Sequence, residues 1–131
     1  MGRSMTTPGD LPSATILLVE DEPAVRRLVA TSLTRAGYRV LEAADGLQGM
    51  ELFEAHAEAI DLLITDLRMP EMDGESLVRA LRGRDPELRV LCVSGYPGRA
   101  SGLASTEHFL AKPFSRYELL GTVRKVLDSA G

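Results

Sequence analysis

Residues 62–74, LLITDLRMPEMDG, run from a continuous aliphatic stretch into a turn, and Asp66 stands where the two meet. The aliphatic residues are typical of a strand that is buried on both faces. Pro70, Asp73 and Gly74 are typical of a turn that leads into a helix. An ionised carboxylate is costly to bury without a partner. Asp66 is therefore either a solvated turn residue or the centre of a site that other parts of the chain complete.

The sequence on both sides of this stretch alternates between strand and helix patterns. Five strands are predicted, at residues 15–19, 39–43, 61–65, 89–93 and 108–111. Helical spacing of apolar residues follows four points, namely Pro23, Gly46, Gly74 and Ser115. This alternation favours an α/β fold with helices on both faces of a parallel sheet. We predict a flavodoxin-like, doubly wound (βα)5 fold whose five-stranded parallel sheet has the order 2-1-3-4-5.

Polar side chains follow four of the five predicted strands, at the edge of a parallel sheet where ligands bind. These residues are Glu20, Asp21, Asp66, Ser94 and Lys112. Three clustered carboxylates repel one another unless a cation lies among them, and an all-oxygen set of ligands suits Mg²⁺. A carboxylate can attack phosphorus, and a metal ion with an ammonium group can stabilise the transferred phosphoryl group. Asp66 is therefore predicted to accept a phosphoryl group.

Four stretches together resemble the receiver domains of bacterial two-component response regulators: ILLVEDEP, DLLITDLRMPEMDG, VLCVSG and FLAKPF. The resemblance covers about residues 14–128. It implies that Asp66 takes a phosphoryl group from the phosphohistidine of a histidine kinase or a histidine phosphotransfer domain. It also implies that Mg²⁺ is held by Glu20, Asp21, Asp66 and the backbone carbonyl of Arg68.

The same resemblance assigns roles in switching to residues near the ends of the last two strands. Ser94 matches the hydroxyl residue that moves toward the phosphoryl group, and Lys112 matches the lysine that pairs with it. Phe109 matches the aromatic residue whose burial reports the switched state. The bond between Lys112 and Pro113 is expected to be cis, as is usual in this family.

The segment between Ser94 and Lys112, GYPGRASGLASTEHFLA, departs from the family pattern because it is short and rich in Gly and Ser. We therefore expect the fourth helix to be shortened or irregular. In this family the face that contains the fourth helix commonly forms the receiver dimer. Because that helix is expected to be altered here, we expect a monomer or a weak dimer. The sequence SGYP after the fourth strand resembles that of receivers attached to hybrid histidine kinases. The expected partners therefore include an output domain or a parent kinase in the same chain.

Residues 1–13 are rich in Gly, Pro, Ser and Thr, and we expect a flexible segment there, with 1–4 left over from cloning. The receiver domain is expected over 14–129, within a chain of 131 residues that suits one domain. A net charge of −4 argues against a broad nucleic-acid surface. No apolar stretch approaches the length of a membrane span. The single Cys92 excludes an intramolecular disulfide, and these features suit a cytoplasmic protein.

Two other classes of protein share part of this pattern. A phosphatase of the haloacid dehalogenase type also phosphorylates an aspartate after a strand, but Arg68 occupies the position of its general acid. A degenerate receiver acting only as a docking module typically lacks the acceptor or the lysine, and this chain has both. The expected function is therefore a phosphorylation switch rather than an enzyme. It would phosphorylate itself in the presence of Mg²⁺ and dephosphorylate slowly, with Arg68 and Tyr96 flanking the site.

Overall fold

The computed structural model describes residues 14–69, 72–95 and 108–129. The elements in these ranges are β1 (Thr15–Val19), α1 (Pro23–Arg35), β2 (Arg39–Ala43), α2 (Gly46–His56), β3 (Ile60–Asp66), α3 (Gly74–Arg84), β4 (Arg89–Ser94), β5 (His108–Ala111) and α4 (Arg116–Asp128). All strand pairs are parallel, and the order is β2-β1-β3-β4-β5. The predicted fold and strand order are confirmed. The shortened helix predicted between β4 and β5 falls on residues that lie outside the described ranges.

The predicted β3 and β4 are too short: β3 begins one residue earlier than predicted, at Ile60, and both strands extend one residue further at their carboxyl ends. The predicted strands stopped at Thr65 and Val93, whereas the ladder continues until Asp66 pairs with Val93. A polar residue looked like the end of each apolar run, but the backbone hydrogen bonds of a sheet do not depend on side-chain polarity. Asp66 is consequently part of the rigid sheet and not of the loop that follows it.

The sheet separates two hydrophobic layers because successive side chains of each strand point to opposite faces. One layer lies under α2 and α3 and is built on Leu17, Leu63 and Phe53. The other lies under α1 and α4 and is built on Leu18 and Ile64. Every residue of β1 is buried, as the continuous apolar pattern predicted. No helix in the described ranges is long and apolar enough to cross a membrane.

The helices begin at the same edge of the sheet, each at a residue suited to that position. Pro23 opens α1, where a missing N–H costs nothing. Asp45 and Asp73 each accept a backbone hydrogen bond in the first turn of α2 and α3, and Ser115 forms a capping box with Glu118 at α4. The three helices α2, α3 and α4 therefore begin at side-chain caps at this edge, whereas α1 begins at Pro23 without one.

Gly74 allows α3 to start directly against the end of β3. A Cβ atom at this position would lie 2.4 Å from the carbonyl oxygen of Asp66 and 2.8 Å from the Cα of Leu67. The Gly74 N–H also donates to the Leu67 carbonyl at 3.1 Å. Only glycine fits this close approach, so the Asp-Gly pair that looked like a plain turn in the sequence also fixes the backbone that carries Asp66.

Candidate functional site

Three carboxylates meet at the carboxyl ends of the two central strands. β1 and β3 are neighbours, with Val19 opposite Thr65, so Glu20 and Asp21 come out of the sheet beside Asp66. One carboxylate oxygen from each of the three acids lies within 4.8 Å of the other two. The structure therefore brings together the acidic cluster that the strand order predicted.

Lys112, which follows the edge strand β5, contacts two of these carboxylates. Its Nζ lies 2.9 Å from Oδ2 of Asp66 and 3.2 Å from Oε1 of Glu20. Its backbone N–H donates to the Ser94 carbonyl at 2.9 Å, which holds the start of the loop against the end of β4. The bond from Lys112 to Pro113 is cis, as predicted.

Both oxygens of the Asp66 side chain have partners within the protein. Oδ2 accepts from Lys112, and Oδ1 accepts from the backbone N–H of Arg68 at 3.0 Å. Asp66 is only 7% exposed, so these contacts provide the stabilisation that a buried carboxylate needs. They also hold the carboxylate in one orientation. The role of the Arg68 carbonyl oxygen as a metal ligand stays a prediction.

The pocket carries more negative charge than one ammonium group neutralises. Burial, and then the charge of Asp66, raise the pKa of Glu20 from its usual 4.5 to about 7, although the Glu22 N–H and Lys112 act in the opposite direction. Burial alone would lower the pKa of Lys112, but its hydrogen bond to Asp66 and the charges of both acids outweigh burial and raise it. A further cation would relieve this imbalance.

The donor set fits Mg²⁺. Carboxylate oxygens suit a hard cation that keeps several of its waters. The pKa of Glu20 is raised first by burial and then by the charge of Asp66, and a cation bound among the three acids would offset both effects. Glu20, Asp21 and Asp66 are the residues that would hold the ion.

Ser94 and Phe109 lie near the site in the sheet. Ser94 ends β4, is buried and pairs with Ala111, while Phe109 pairs with Cys92 and is half-buried against the layer beneath α2 and α3. Their predicted movement on switching stays a prediction. Tyr96, predicted to flank the site, lies outside the described residues.

Arg26 makes two contacts that were not predicted from the sequence. Its Nη1 donates to the backbone carbonyl of Glu20 at 2.8 Å, and its Nε lies 3.6 Å from Oε1 of Glu42 on β2. A signal was present, because Arg26 precedes the buried Val29, Ala30 and Leu33 of α1 by three, four and seven residues. An arginine at this spacing lies on the inner face of its helix.

Comparisons with known proteins agree on one family. The family model described as the response regulator receiver domain matches residues 16–124. The sensor kinase CckA of Brucella abortus (strain 2308) is 42% identical over 120 residues, which cover 88% of this chain and 13% of that protein. The response regulator receiver protein CpdR of the same organism is 34% identical over 119 residues, covering 88% of this chain and 98% of that protein.

A solved structure, the receiver domain from the hybrid histidine kinase CckA, is similar in both sequence and fold. It is 40% identical with a TM-score of 0.78, and the match covers 88% of this chain and all of that one, 100%. The chain thus spans a small part of the length of the CckA kinase but nearly the whole of its receiver domain and of CpdR.

Proposed function

The chain belongs to the response regulator receiver domain family, and from that membership we propose that Asp66 is its phosphoacceptor. The receiver domain family is a family of signalling modules, not of enzymes in the usual sense. We propose that the donor is the phosphohistidine of a histidine kinase or of a histidine phosphotransfer domain. The contact between Lys112 and both Asp66 and Glu20 is the observation that carries this assignment.

In the proposed reaction an oxygen of the Asp66 carboxylate attacks phosphorus in line with the donor nitrogen. The phosphorus–nitrogen bond breaks, its electron pair stays on the imidazole, and that ring takes a proton from solvent. Lys112 exchanges Oδ2 of Asp66 for an oxygen of the arriving phosphoryl group, so the ammonium follows the charge as it moves. The Arg68 N–H keeps the acceptor oriented through Oδ1.

Mg²⁺, held by Glu20, Asp21, Asp66 and the Arg68 carbonyl, would neutralise the phosphoryl oxygens when bound. The three acids contribute fixed negative charge that attracts the cation, and without it they would repel a phosphate. Phosphorylation should therefore need the metal.

Switching is proposed to begin at Ser94 and Phe109. Ser94 sits at the end of β4, and its backbone carbonyl accepts from the Lys112 N–H, so the backbones of the two residues proposed to contact the phosphoryl group are held together. Two packings of this part of the sheet would then exchange population. We also propose that the chain acts as a monomer or weak dimer in the cytoplasm, beside an output domain or a parent kinase.

The assignment is tested by incubating the chain with acetyl phosphate and Mg²⁺ and measuring its intact mass. The wild-type chain should gain the mass of one phosphoryl group, and Asp66→Asn should gain none. Asp61→Asn is the matched control, since Asp61 lies on the same strand at its other end and bonds to the Thr15 N–H. If Asp66→Asn gains the same mass as Asp61→Asn, the phosphoacceptor is another residue.

The acyl phosphate is proposed to hydrolyse slowly because Arg68 flanks Asp66. After removal of acetyl phosphate, the fraction of phosphorylated protein should decay over minutes or longer by intact mass. A half-life of only seconds would contradict this part of the proposal. The phosphatase alternative finds no support, because Arg68 cannot act as the general acid that such an enzyme needs.

A further inference from the structure

Two consecutive arginines on α1 have different surroundings. Arg27 is exposed, whereas the side chain of Arg26 is 22% exposed and turns back over the start of the helix. Its Nη1 donates to the Glu20 carbonyl at 2.8 Å, six residues earlier in the chain. The Nε of the same guanidinium group lies 3.6 Å from Glu42 on β2.

The carbonyl that Arg26 contacts belongs to the peptide group joining Glu20 to Asp21. The Glu20 N–H still bonds to Ala43 of β2 at 3.1 Å, but the chain leaves the sheet at this point. Because a peptide group is planar, fixing its carbonyl oxygen also fixes the direction in which the Asp21 backbone continues.

Asp21 depends on this backbone contact more than Glu20 does, because Asp21 is less buried. Glu20 is 3% exposed, and its Oε2 accepts the Glu22 N–H at 3.1 Å, so its side chain is already oriented. The Asp21 side chain is only half-buried and depends more on its backbone for direction. Arg26 is the group in the described ranges that ties this backbone to both α1 and β2.

We propose that Arg26 is a positioning residue that orients the Glu20–Asp21 peptide, and with it the Asp21 carboxylate, for a divalent cation. The proposal rests on the assignment of these acids to Mg²⁺. Arg26 does not touch the cation or the phosphoryl group; it acts through the backbone of the residues that would. Glu42 holds the guanidinium in place, and as a half-exposed ion pair it adds little stability of its own.

Charge and positioning predict opposite results when Arg26 is replaced. A guanidinium near the acids repels Mg²⁺, so its removal should tighten metal binding if charge alone matters. If Arg26 positions Asp21, its removal should weaken Mg²⁺ binding, because groups that orient metal ligands typically contribute about tenfold or more to affinity. The direction of the change therefore identifies the role.

The test is an NMR titration of the unphosphorylated chain with MgCl₂, following the backbone amides around the acids. Arg26→Gln should raise the dissociation constant for Mg²⁺ by about tenfold. Arg27→Gln, which removes the same charge from the neighbouring exposed position, should leave it unchanged or lower it slightly. Affinity of Arg26→Gln equal to or tighter than wild type would overturn the proposal.

A second variant covers the case in which Arg26→Gln folds poorly. Arg26→Lys keeps the positive charge but cannot reach both the Glu20 carbonyl and Glu42 with one planar group, so it should bind Mg²⁺ more weakly than wild type. Thermal unfolding in EDTA checks that each variant is folded. Wild-type affinity in Arg26→Lys together with unfolded Arg26→Gln would count against positioning.

Phosphorylation kinetics separate this inference from the proposed function. With acetyl phosphate, Arg26→Gln should need more Mg²⁺ for half-maximal rate but reach the wild-type rate at saturation, since Asp66 and Lys112 are unchanged. A lower rate at saturating Mg²⁺ would contradict a role confined to metal positioning. If the wild-type chain itself takes up no phosphate, the proposed function fails, while the NMR titration still decides the role of Arg26.

Discussion

Lys112 contacts the buried carboxylates of both Glu20 and Asp66 and offsets the repulsion between them. Replacing it by Met should lower the unfolding free energy by about 1–2 kcal/mol at pH 8, less than for a fully buried pair because the lysine side chain is 22% exposed. The same variant should bind Mg²⁺ more tightly, since a competing cation is gone.

Chemical denaturation in EDTA and an NMR titration with MgCl₂ measure these two effects. Lys125→Met, on the last turn of α4, is the matched control and should change neither quantity. Weaker Mg²⁺ binding in Lys112→Met would show that the lysine helps to build the metal site instead of competing with the metal.

The raised pKa of Glu20 predicts that the metal-free protein becomes less stable as pH rises. The folded chain keeps a proton on Glu20 up to about pH 7, whereas the unfolded chain releases it near 4.5. The folded state then binds more protons in this window, so the free energy of unfolding falls with increasing pH. The melting temperature in EDTA should drop between pH 5 and pH 8.

Two controls separate Glu20 from the other acids. Glu20→Gln should flatten the decline across this window, and Glu22→Gln, an exposed acid two residues on, should not. Saturating Mg²⁺ should also flatten it, because the cation takes over the charge that the proton balanced. An equal decline in wild type and Glu20→Gln would mean that burial of Glu20 does not govern the pH dependence.

Replacing either of two helical glycines by alanine should change the stability of the protein in opposite directions. Gly121 lies in the middle of α4 with nothing within 4 Å of a Cβ atom, so Gly121→Ala should stabilise the protein by about 1 kcal/mol. Gly74→Ala would press on the Asp66 carbonyl and should destabilise by about 1–3 kcal/mol.

Denaturant unfolding of both variants tests this pair, and an NMR titration with MgCl₂ adds a functional readout. Gly74→Ala should also weaken Mg²⁺ binding, because the end of β3 must shift, whereas Gly121→Ala should leave it unchanged. Equal stability of the two variants would mean that α3 can move away from the sheet without affecting Asp66.

The same elements show what local patterns could and could not predict. The apolar runs that end at Glu20 and Lys112 predicted the bounds of β1 and β5, and the more polar stretch RVLEA predicted those of β2; the structure has all three as predicted. The last residue of β3, Asp66, belongs to the strand because it pairs with β4, and the residue pattern of one segment does not show how it pairs with a distant one. The sequence pattern gave no reason to extend the strand through Asp66.

At the scale of the whole molecule, most of the candidate site could be predicted from the order of the strands in the sheet. Once β1 and β3 are neighbours, Glu20, Asp21 and Asp66 must converge, so the acidic cluster could be predicted from topology. Contacts set by side-chain direction could not. Lys112 contacts Glu20 as well as Asp66. Arg26, and not Arg27, contacts the backbone of Glu20 after β1. Both contacts depend on side-chain directions that residue spacing alone does not determine.

The central claim is that Asp66, and no other residue, receives the phosphoryl group. The most direct measurement treats the chain with acetyl phosphate and Mg²⁺, reduces the acyl phosphate with borohydride and maps the modified residue by peptide mass spectrometry. We predict homoserine at position 66, and none when EDTA replaces Mg²⁺. Modification at Asp21 or Glu20 with Asp66 intact would contradict the account.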